Sequence, residues 1–421
     1  VSPANPTGAV VSQKAFSDLV ERLPEVLILL DQAYVDFCDP EFDLTDIALA
    51  SPNVVIVRTM SKAAACAGLR VGCAIGDPRV IDWMRRLGLP FPVPTPALEM
   101  ASKVLAAGPD GARIERVRSQ RAALVALLER LGADVLPSQA SFVFARFDDA
   151  VRVWTALGAL GISVRRFPGR AGVGEWLRIT LPGDDAPWSR LERGFQSILA
   201  PEGLLFDMDG VLADTSRSYR RAIIETAASW DVEVSSGDVE TANAAGNSNN
   251  DWQLTRKLLA ERGVEVSLGE VTARFEERYQ GTPEEPGLRR YESLLLPRDV
   301  LLQMSEKRPL GVVTGRPRAD AERFLAEHGL GGVFKAVVCM EDGPLKPDPA
   351  PVRAALDRLG VDTAWMVGDT PDDVRAAAAA GVVPVGVVAA GDEPDRARST
   401  LEGAGAAFVL DAITDLEGVL P

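Results

Sequence analysis

The chain has 421 residues and a mass of 45.0 kDa, with 45 basic and 60 acidic side chains and a net charge of −15. An apolar fraction of 47% supplies packed cores for two or three domains, while so acidic a chain argues against nucleic acid or an anionic membrane as partner. A single histidine, His328, excludes a His-rich zinc site, and a Ser-His-Asp triad or a Cys-His pair would need that one residue placed beside other specific groups.

The charge is uneven: residues 1–200 carry 22 basic and 22 acidic side chains, so the whole excess falls on residues 201–421, and two modules are expected. Cys38, Cys66, Cys73 and Cys339 lack Cys-x-x-Cys spacing and are expected as reduced, mostly buried thiols of a cytoplasmic protein. The longest apolar run, Ala376 to Gly391, is about 15 residues against the ~20 a membrane helix needs. The chain opens on Val1, inside a motif, and reads as an N-terminally truncated fragment.

Gln13–Arg22 and Ala97–Leu131 have helical periodicity, and Val26–Leu30 and Asn53–Val57 read as buried parallel strands. Asp134–Arg146 and Ile162–Thr180 read as short strands of a small lobe spanning about 132–199. Trp188–Leu199 reads as a helix, and Ala200-Pro201-Glu202-Gly203 as a tight connection to a second module. That module has strand candidates at Gly203–Phe206, Leu310–Val313, Ala336–Cys339, Ala364–Val367 and Pro384–Val388, separated by helices, as in a parallel α/β sheet. From about 216 to 307 the strands vanish and helical patterns take over.

Four signals in the second half follow strands. Asp207-Met208-Asp209-Gly210 puts two mutually repelling carboxylates at a strand's carboxyl end, where a cation is expected. Thr314-Gly315-Arg316, Lys346 in Lys346-Pro347-Asp348-Pro349, and Gly368-Asp369-Thr370-Pro371-Asp372-Asp373 add a hydroxyl, an ammonium and further acids. Carboxylates hold Mg²⁺, hydroxyl and ammonium hold phosphoryl oxygens, and one carboxylate remains to attack phosphorus. In order and spacing, residues 203–421 resemble the haloacid dehalogenase-like phosphohydrolases, with a helical cap between the first two motifs. The resemblance implies Asp207 as nucleophile, Asp209 as acid and base, Thr314 and Lys346 as holders of the phosphoryl group, and Asp207, the Asp209 carbonyl, Asp369 and Asp373 at Mg²⁺. Asp373, not Asp372, fits that spacing. Cap residues Asn247, Asn249, Asn250, Trp252, Arg256 and Lys257, with Arg316 and Arg318 beside the phosphate motif, are candidates to contact substrate, and His328 reads as a helix-end side chain.

In the first half, Asn5-Pro6-Thr7-Gly8, Asp31 at a strand end, Tyr34, Thr59-Met60-Ser61-Lys62 and Gly68-Leu69-Arg70 suggest a lysine that condenses with an aldehyde cofactor, beside a carboxylate for its pyridine nitrogen and cations for its phosphate. Residues 1–199 resemble the fold-type I pyridoxal-phosphate aminotransferases, the histidinol-phosphate aminotransferases in particular. The resemblance makes Lys62 the Schiff-base lysine and Asp31 the partner of the pyridine nitrogen. It places Asn5 and Tyr34 at the ring oxygen, Ser61 and Arg70 (with Thr59) at the cofactor phosphate, and Arg178 at the substrate anion. It also implies a homodimer. Two departures stand out: the Gly-rich phosphate turn and stacking aromatic ring that precede the Asn-Pro-Thr-Gly segment in the family are absent, and Ser141 stands where Asn is usual. Little or no transamination by this chain is therefore expected.

The fold expectation is α/β: a partial pyridoxal-phosphate transferase fold, then a Rossmann-like core with a helical cap. The leading functional expectation is a Mg²⁺-dependent phosphomonoesterase fused to an aminotransferase, acting on histidinol phosphate or a similar phosphorylated amino compound. Two alternatives stay open: a sugar-phosphate or phosphoglycolate phosphatase or phosphomutase, and a first half that serves only as scaffold or dimerisation element.

Overall fold

The computed structural model describes residues 1–245 and 250–421; Gly246, Asn247 and Asn249 lie outside them. The chain divides into two units, one of residues Val1–Val151 and Val164–Glu192, the other of Arg152–Ser163 and Arg193–Pro421.

In the first unit the β-branched run of Val54–Ile56 is fully buried within a three-stranded sheet: β1 (Ile28–Asp31) runs parallel to β2 (Val54–Thr59), and β3 (Gly72–Gly76) antiparallel to it. Phe16, Leu30, Leu44 and Ala48 pack with Val54 and Ile56. A second, antiparallel sheet has the order β4 (Asp134–Leu136), β5 (Phe142–Arg146), β7 (Trp176–Thr180), β6 (Arg165–Arg166). The stretch 97–131 is not one helical run but two helices, Thr95–Ala107 and Gly111–Arg130. Gly108 takes φ +75°, Pro109 has no N–H to continue the ladder, and the Asp110 side chain caps the next helix by accepting from Arg113 N at 3.0 Å. The cysteines divide evenly: Cys38 and Cys339 are buried, Cys66 is half-buried, Cys73 is exposed, and all four are free thiols.

The second unit is built on a six-stranded, wholly parallel sheet. Its strands are β8 (Gly203–Phe206), β11 (Leu310–Val313), β12 (Phe334–Val338), β13 (Ala364–Gly368), β14 (Val383–Val387) and β15 (Phe408–Leu410), in the order β12-β11-β8-β13-β14-β15. β8, buried along its whole length, lies between β11 and β13, so the chain leaves it toward both sides and opens a crevice at its carboxyl end. Its neighbours are buried too, which explains why these strands read as continuous apolar runs without alternation.

Between β8 and β11 the helices Tyr219–Ala228, Ser236–Ala245, Asp251–Ala260 and Leu268–Gln280 pack around their own core of Ile223, Leu258, Val271, Phe275 and Tyr279. A short antiparallel pair, β9 (Ala213–Asp214) with β10 (Ser293–Leu294), ties the two ends of this insertion together. Two residues per strand carry no periodicity, so the pair was not legible in the sequence. Among the described residues no helix is long and apolar enough to cross a membrane.

Trp365 on β13 is fully buried; its Nε1 donates to the Ser197 carbonyl at 2.8 Å and its ring meets Phe408 edge-on at 5.4 Å. Trp365→Ala removes this packing and leaves a buried carbonyl unpaired. A loss of about 3–5 kcal/mol is expected, read as a lowered urea midpoint of the second unit's transition.

Candidate active site

The carboxyl ends of β8, β11 and β13 lie side by side, so the residues that follow them share one crevice. Asp207 leaves β8 with its backbone N–H donating to the Val367 carbonyl at 2.8 Å. Thr314 leaves β11 and is buried, its N–H donating to the Val338 carbonyl at 2.9 Å. Lys346 reaches this centre from the loop after β12. Its Nζ donates to Asp207 Oδ1 at 2.7 Å and to the Val313 carbonyl at 3.0 Å, and ion-pairs with Asp373 Oδ1 at 2.5 Å. Asp373 is fixed by a capping box: its Oδ2 accepts from Thr370 Oγ1 at 2.6 Å and Thr370 N at 3.0 Å.

Carboxylate oxygens of Asp207, Asp369 and Asp373 all lie within 4.8 Å of one another. Burial, then the charges of Asp373 and Asp209, push the Asp207 carboxyl up to about 7 against the pull of Lys346. Burial and the charges of Asp373 and Asp207 push Asp369 well above the usual carboxylate range. Lys346 is pushed up by Asp207 and Asp373, although burial alone would depress it. Asp369 Oδ1 is buried with no hydrogen-bond partner. An all-oxygen donor set this crowded, with one orphaned oxygen, fits a hard divalent cation such as Mg²⁺. Two glycines make the approach possible. At Gly210 (φ +70°) a Cβ would sit 2.2 Å from Asp369 Oδ2, and at Gly368 one would sit 2.2 Å from the Asp373 Cβ.

Asp209 lies on the pocket wall rather than beneath it, its side chain 31% exposed. Arg316 Nε and Nη2 both donate to its Oδ1, at 2.8 and 2.6 Å. The same guanidinium donates to Glu292 Oε2 at 2.9 Å and lies over the Tyr219 ring at 4.7 Å, while Tyr279 Oη donates to Glu292 Oε1 at 3.1 Å. Arg316 is thus engaged by protein carboxylates on both sides. Glu292, Tyr219 and Tyr279 escaped the sequence reading, because nothing local ties them to Asp209. Of the remaining cap candidates, Asn250 and Trp252 line the pocket, whereas Arg256 and Lys257 are exposed. Asp251, between Asn250 and Trp252, also lines it and was missed. Arg318 pairs with Asp342 at 2.5 Å, and His328 ends its helix with Nδ1 2.9 Å from the Phe324 carbonyl.

The first unit links a second set of residues, Lys62, Tyr34, Phe142, Arg178 and Asn5. Lys62 Nζ lies 5.3 Å from the centre of the Tyr34 ring, Tyr34 meets Phe142 edge-on, and the Arg178 guanidinium lies over Phe142. Arg178 Nη1 donates to Asn5 Oδ1 at 2.7 Å, but its Nε is buried without a partner. Asp31 closes β1, with Oδ1 accepting from Ala33 N at 2.9 Å. Ser61 N and Thr59 Oγ1 are joined at 3.1 Å, and Arg70 sits at φ +56° with Nη1 donating to the Ala67 carbonyl. The orphaned Nε of Arg178 beside Asn5 fits an anionic ligand.

Residues 1–191 match the family model for aminotransferase class I and II, and residues 201–381 that for haloacid dehalogenase-like hydrolase. The two halves of the chain thus match models of two different enzyme families. It is 45% identical over 195 residues to an imidazoleglycerol-phosphate dehydratase of Phytophthora nicotianae, covering 44% of this chain and 43% of that protein. It is 34% identical over 188 residues to a histidinol-phosphate aminotransferase of Aeromonas hydrophila, covering 43% and 52%. Among solved structures, a hydrolase from Pseudomonas syringae is similar at 22% identity and a TM-score of 0.43, over 52% of this chain and 96% of that one. The chain spans about half the length of the curated relatives it matches.

Two outcomes follow from this geometry. Mg²⁺ at about 100 times its Kd is expected to stabilise the folded chain by about 2.7 kcal/mol, a rise of a few degrees in Tm. Asp369→Asn, which removes one charged donor, should abolish most of that rise in differential scanning fluorimetry. Arg316→Ala leaves Glu292 buried without its cation, and a destabilisation of about 3–5 kcal/mol is expected by urea titration.

Proposed function

We propose that the second unit is a Mg²⁺-dependent phosphomonoester hydrolase working through an aspartyl-phosphate on Asp207. It acts on histidinol phosphate or a similar phosphorylated amino compound, and its helical insertion is the cap that closes over that substrate. The observation that carries this reading is the cluster of buried Asp207, Lys346 and Asp373 with half-buried Asp369, at a pocket that Asp209 overlooks.

One carboxylate oxygen of Asp207 attacks phosphorus, and the bond from phosphorus to the ester oxygen breaks. The leaving oxygen takes a proton from Asp209. Arg316 holds Oδ1 of Asp209, which leaves Oδ2 for proton traffic. Asp209 then takes a proton from water, the water oxygen attacks phosphorus, the bond to Asp207 breaks and free phosphate leaves. Lys346 and Thr314 hold phosphoryl oxygens, and Lys346 also fixes the attacking carboxylate in place. Asp207, the Asp209 carbonyl, Asp369 and Asp373 would hold Mg²⁺, whose charge draws the phosphoryl dianion toward a carboxylate it would otherwise be repelled by.

In the first unit the same reading gives Lys62, Asp31, Asn5, Tyr34, Ser61 and Arg70 to pyridoxal phosphate and Arg178 to the anion of an amino substrate, with a homodimer through this half. The cofactor would supply an electron sink for amino-group transfer. Histidinol phosphate fits both halves, since it is an amine and a phosphomonoester, and relatives of the first half are named for it.

The test is phosphate release with Mg²⁺ from phosphorylated amino alcohols, sugars and glycolate. Asp207→Asn should lower kcat by at least about 1000-fold without unfolding the chain. Product analysis is expected to give free phosphate; an isomerised ester would identify a mutase and overturn the hydrolase reading.

A further inference from the structure

The pocket above Asp207 and Asp209 is where the alcohol of the ester must lie, so its wall charges select that alcohol. Among the described residues two guanidiniums reach the wall, and both are already paired. Arg316 is held by Asp209 and Glu292, and Arg220 Nη2 donates to Asp392 Oδ1 at 2.5 Å. Asp214 accepts from Ser216 N and Oγ at 3.0 and 2.6 Å.

Asp251 is different. It opens the helix Asp251–Ala260 on the pocket wall, yet among the described residues its carboxylate accepts no hydrogen bond and forms no ion pair. Its simplest role, capping that helix, is taken by Asn250, whose Oδ1 accepts from Gln253 N at 2.9 Å. Burial, then the charge of Asp209, pushes the Asp251 carboxyl up to about 7, against the pull of Arg316. An acid in such surroundings lacks a cation.

We propose that Asp251 is the specificity residue of this site and recognises a positively charged group, a primary ammonium or a protonated imidazole, on the leaving alcohol. The preferred substrates are then phosphomonoesters of cationic amino alcohols. Esters whose leaving alcohol bears a carboxylate or a second phosphate meet Asp251 as a like charge, with no free guanidinium among the described wall residues to receive them. This inference rests on the phosphatase reading and narrows it to a substrate class.

The experiment uses the full chain with Mg²⁺ and three esters of similar size: phosphoethanolamine, glycerol 3-phosphate and phosphoglycolate. The expected order of kcat/KM is phosphoethanolamine over glycerol 3-phosphate by about tenfold or more, with phosphoglycolate last. Asp251→Asn should lower kcat/KM for phosphoethanolamine about tenfold, mainly through KM. The same change should leave glycerol 3-phosphate within about twofold and raise phosphoglycolate. Equal losses on all three esters, or a wild-type chain that hydrolyses them without preference, would falsify the inference while leaving the phosphatase intact. The wild-type preference needs no variant to fold. A chain that releases phosphate from none of the three, no faster than Asp207→Asn, sinks the phosphatase reading and this inference with it.

Discussion

The second unit depends on three carboxylates forced together around one ammonium. Asp207 and Asp369 leave neighbouring parallel strands, β8 and β13, while Asp373 sits in the first turn of the helix that follows β13. Their oxygens are brought within 4.8 Å of one another, with Asp207 and Asp373 buried and Asp369 half-buried. Bringing like charges out of water is costly, and a single lysine offsets only part of it. The fold accepts that cost with specific devices. The sheet order sets β8 between β11 and β13, the Val313 carbonyl anchors Lys346 Nζ, Thr370 holds Asp373 by its cap, and two glycines clear the space. None of these devices adds stability that an apolar packing could not match. They make sense as preorganisation for a cation and a phosphoryl group.

Arg316 adds a second layer of the same physics. It is fully buried, yet its charge is answered by Asp209 from the sheet side and Glu292 from the end of the helical insertion, with Tyr219 across its face. The guanidinium therefore joins the insertion to the acid at the pocket rim. A displacement of the helices would be felt at Asp209 through a planar, doubly bonded group rather than through loose packing.

The parts of this site that the sequence displayed are those where local chemistry and strand ends coincide. Asp207, Asp209, Thr314, Lys346, Asp369 and Asp373 each follow a buried apolar run or sit in a turn rich in Gly and Pro, so the order of motifs locates them without coordinates. Arg316 was visible as a residue but not in its role, because its partner Asp209 lies 107 residues away and Glu292 lies in another element. Asp251 was passed over between Asn250 and Trp252 because an acid at a helix start is ordinary; only the absence of a partner inside a shared pocket sets it apart. The break at Gly108-Pro109 was legible in principle, but the helical periodicity on either side outweighed it.

The excess of negative charge on residues 201–421 bears on the same selection. A phosphoryl dianion approaching this half meets an adverse field and an acidic pocket wall, with both wall guanidiniums already paired. On the proposed reading a divalent cation would be drawn in by that field and would reverse its sign at Asp207. Nothing comparable protects the leaving-group end, where the field stays negative. An alcohol bearing its own positive charge is favoured there twice, by long-range attraction as it approaches and by Asp251 once it has entered. A phosphate on one end of the ester and an ammonium on the other therefore match the two regions of the site in sign, whereas an ester anionic at both ends matches only one.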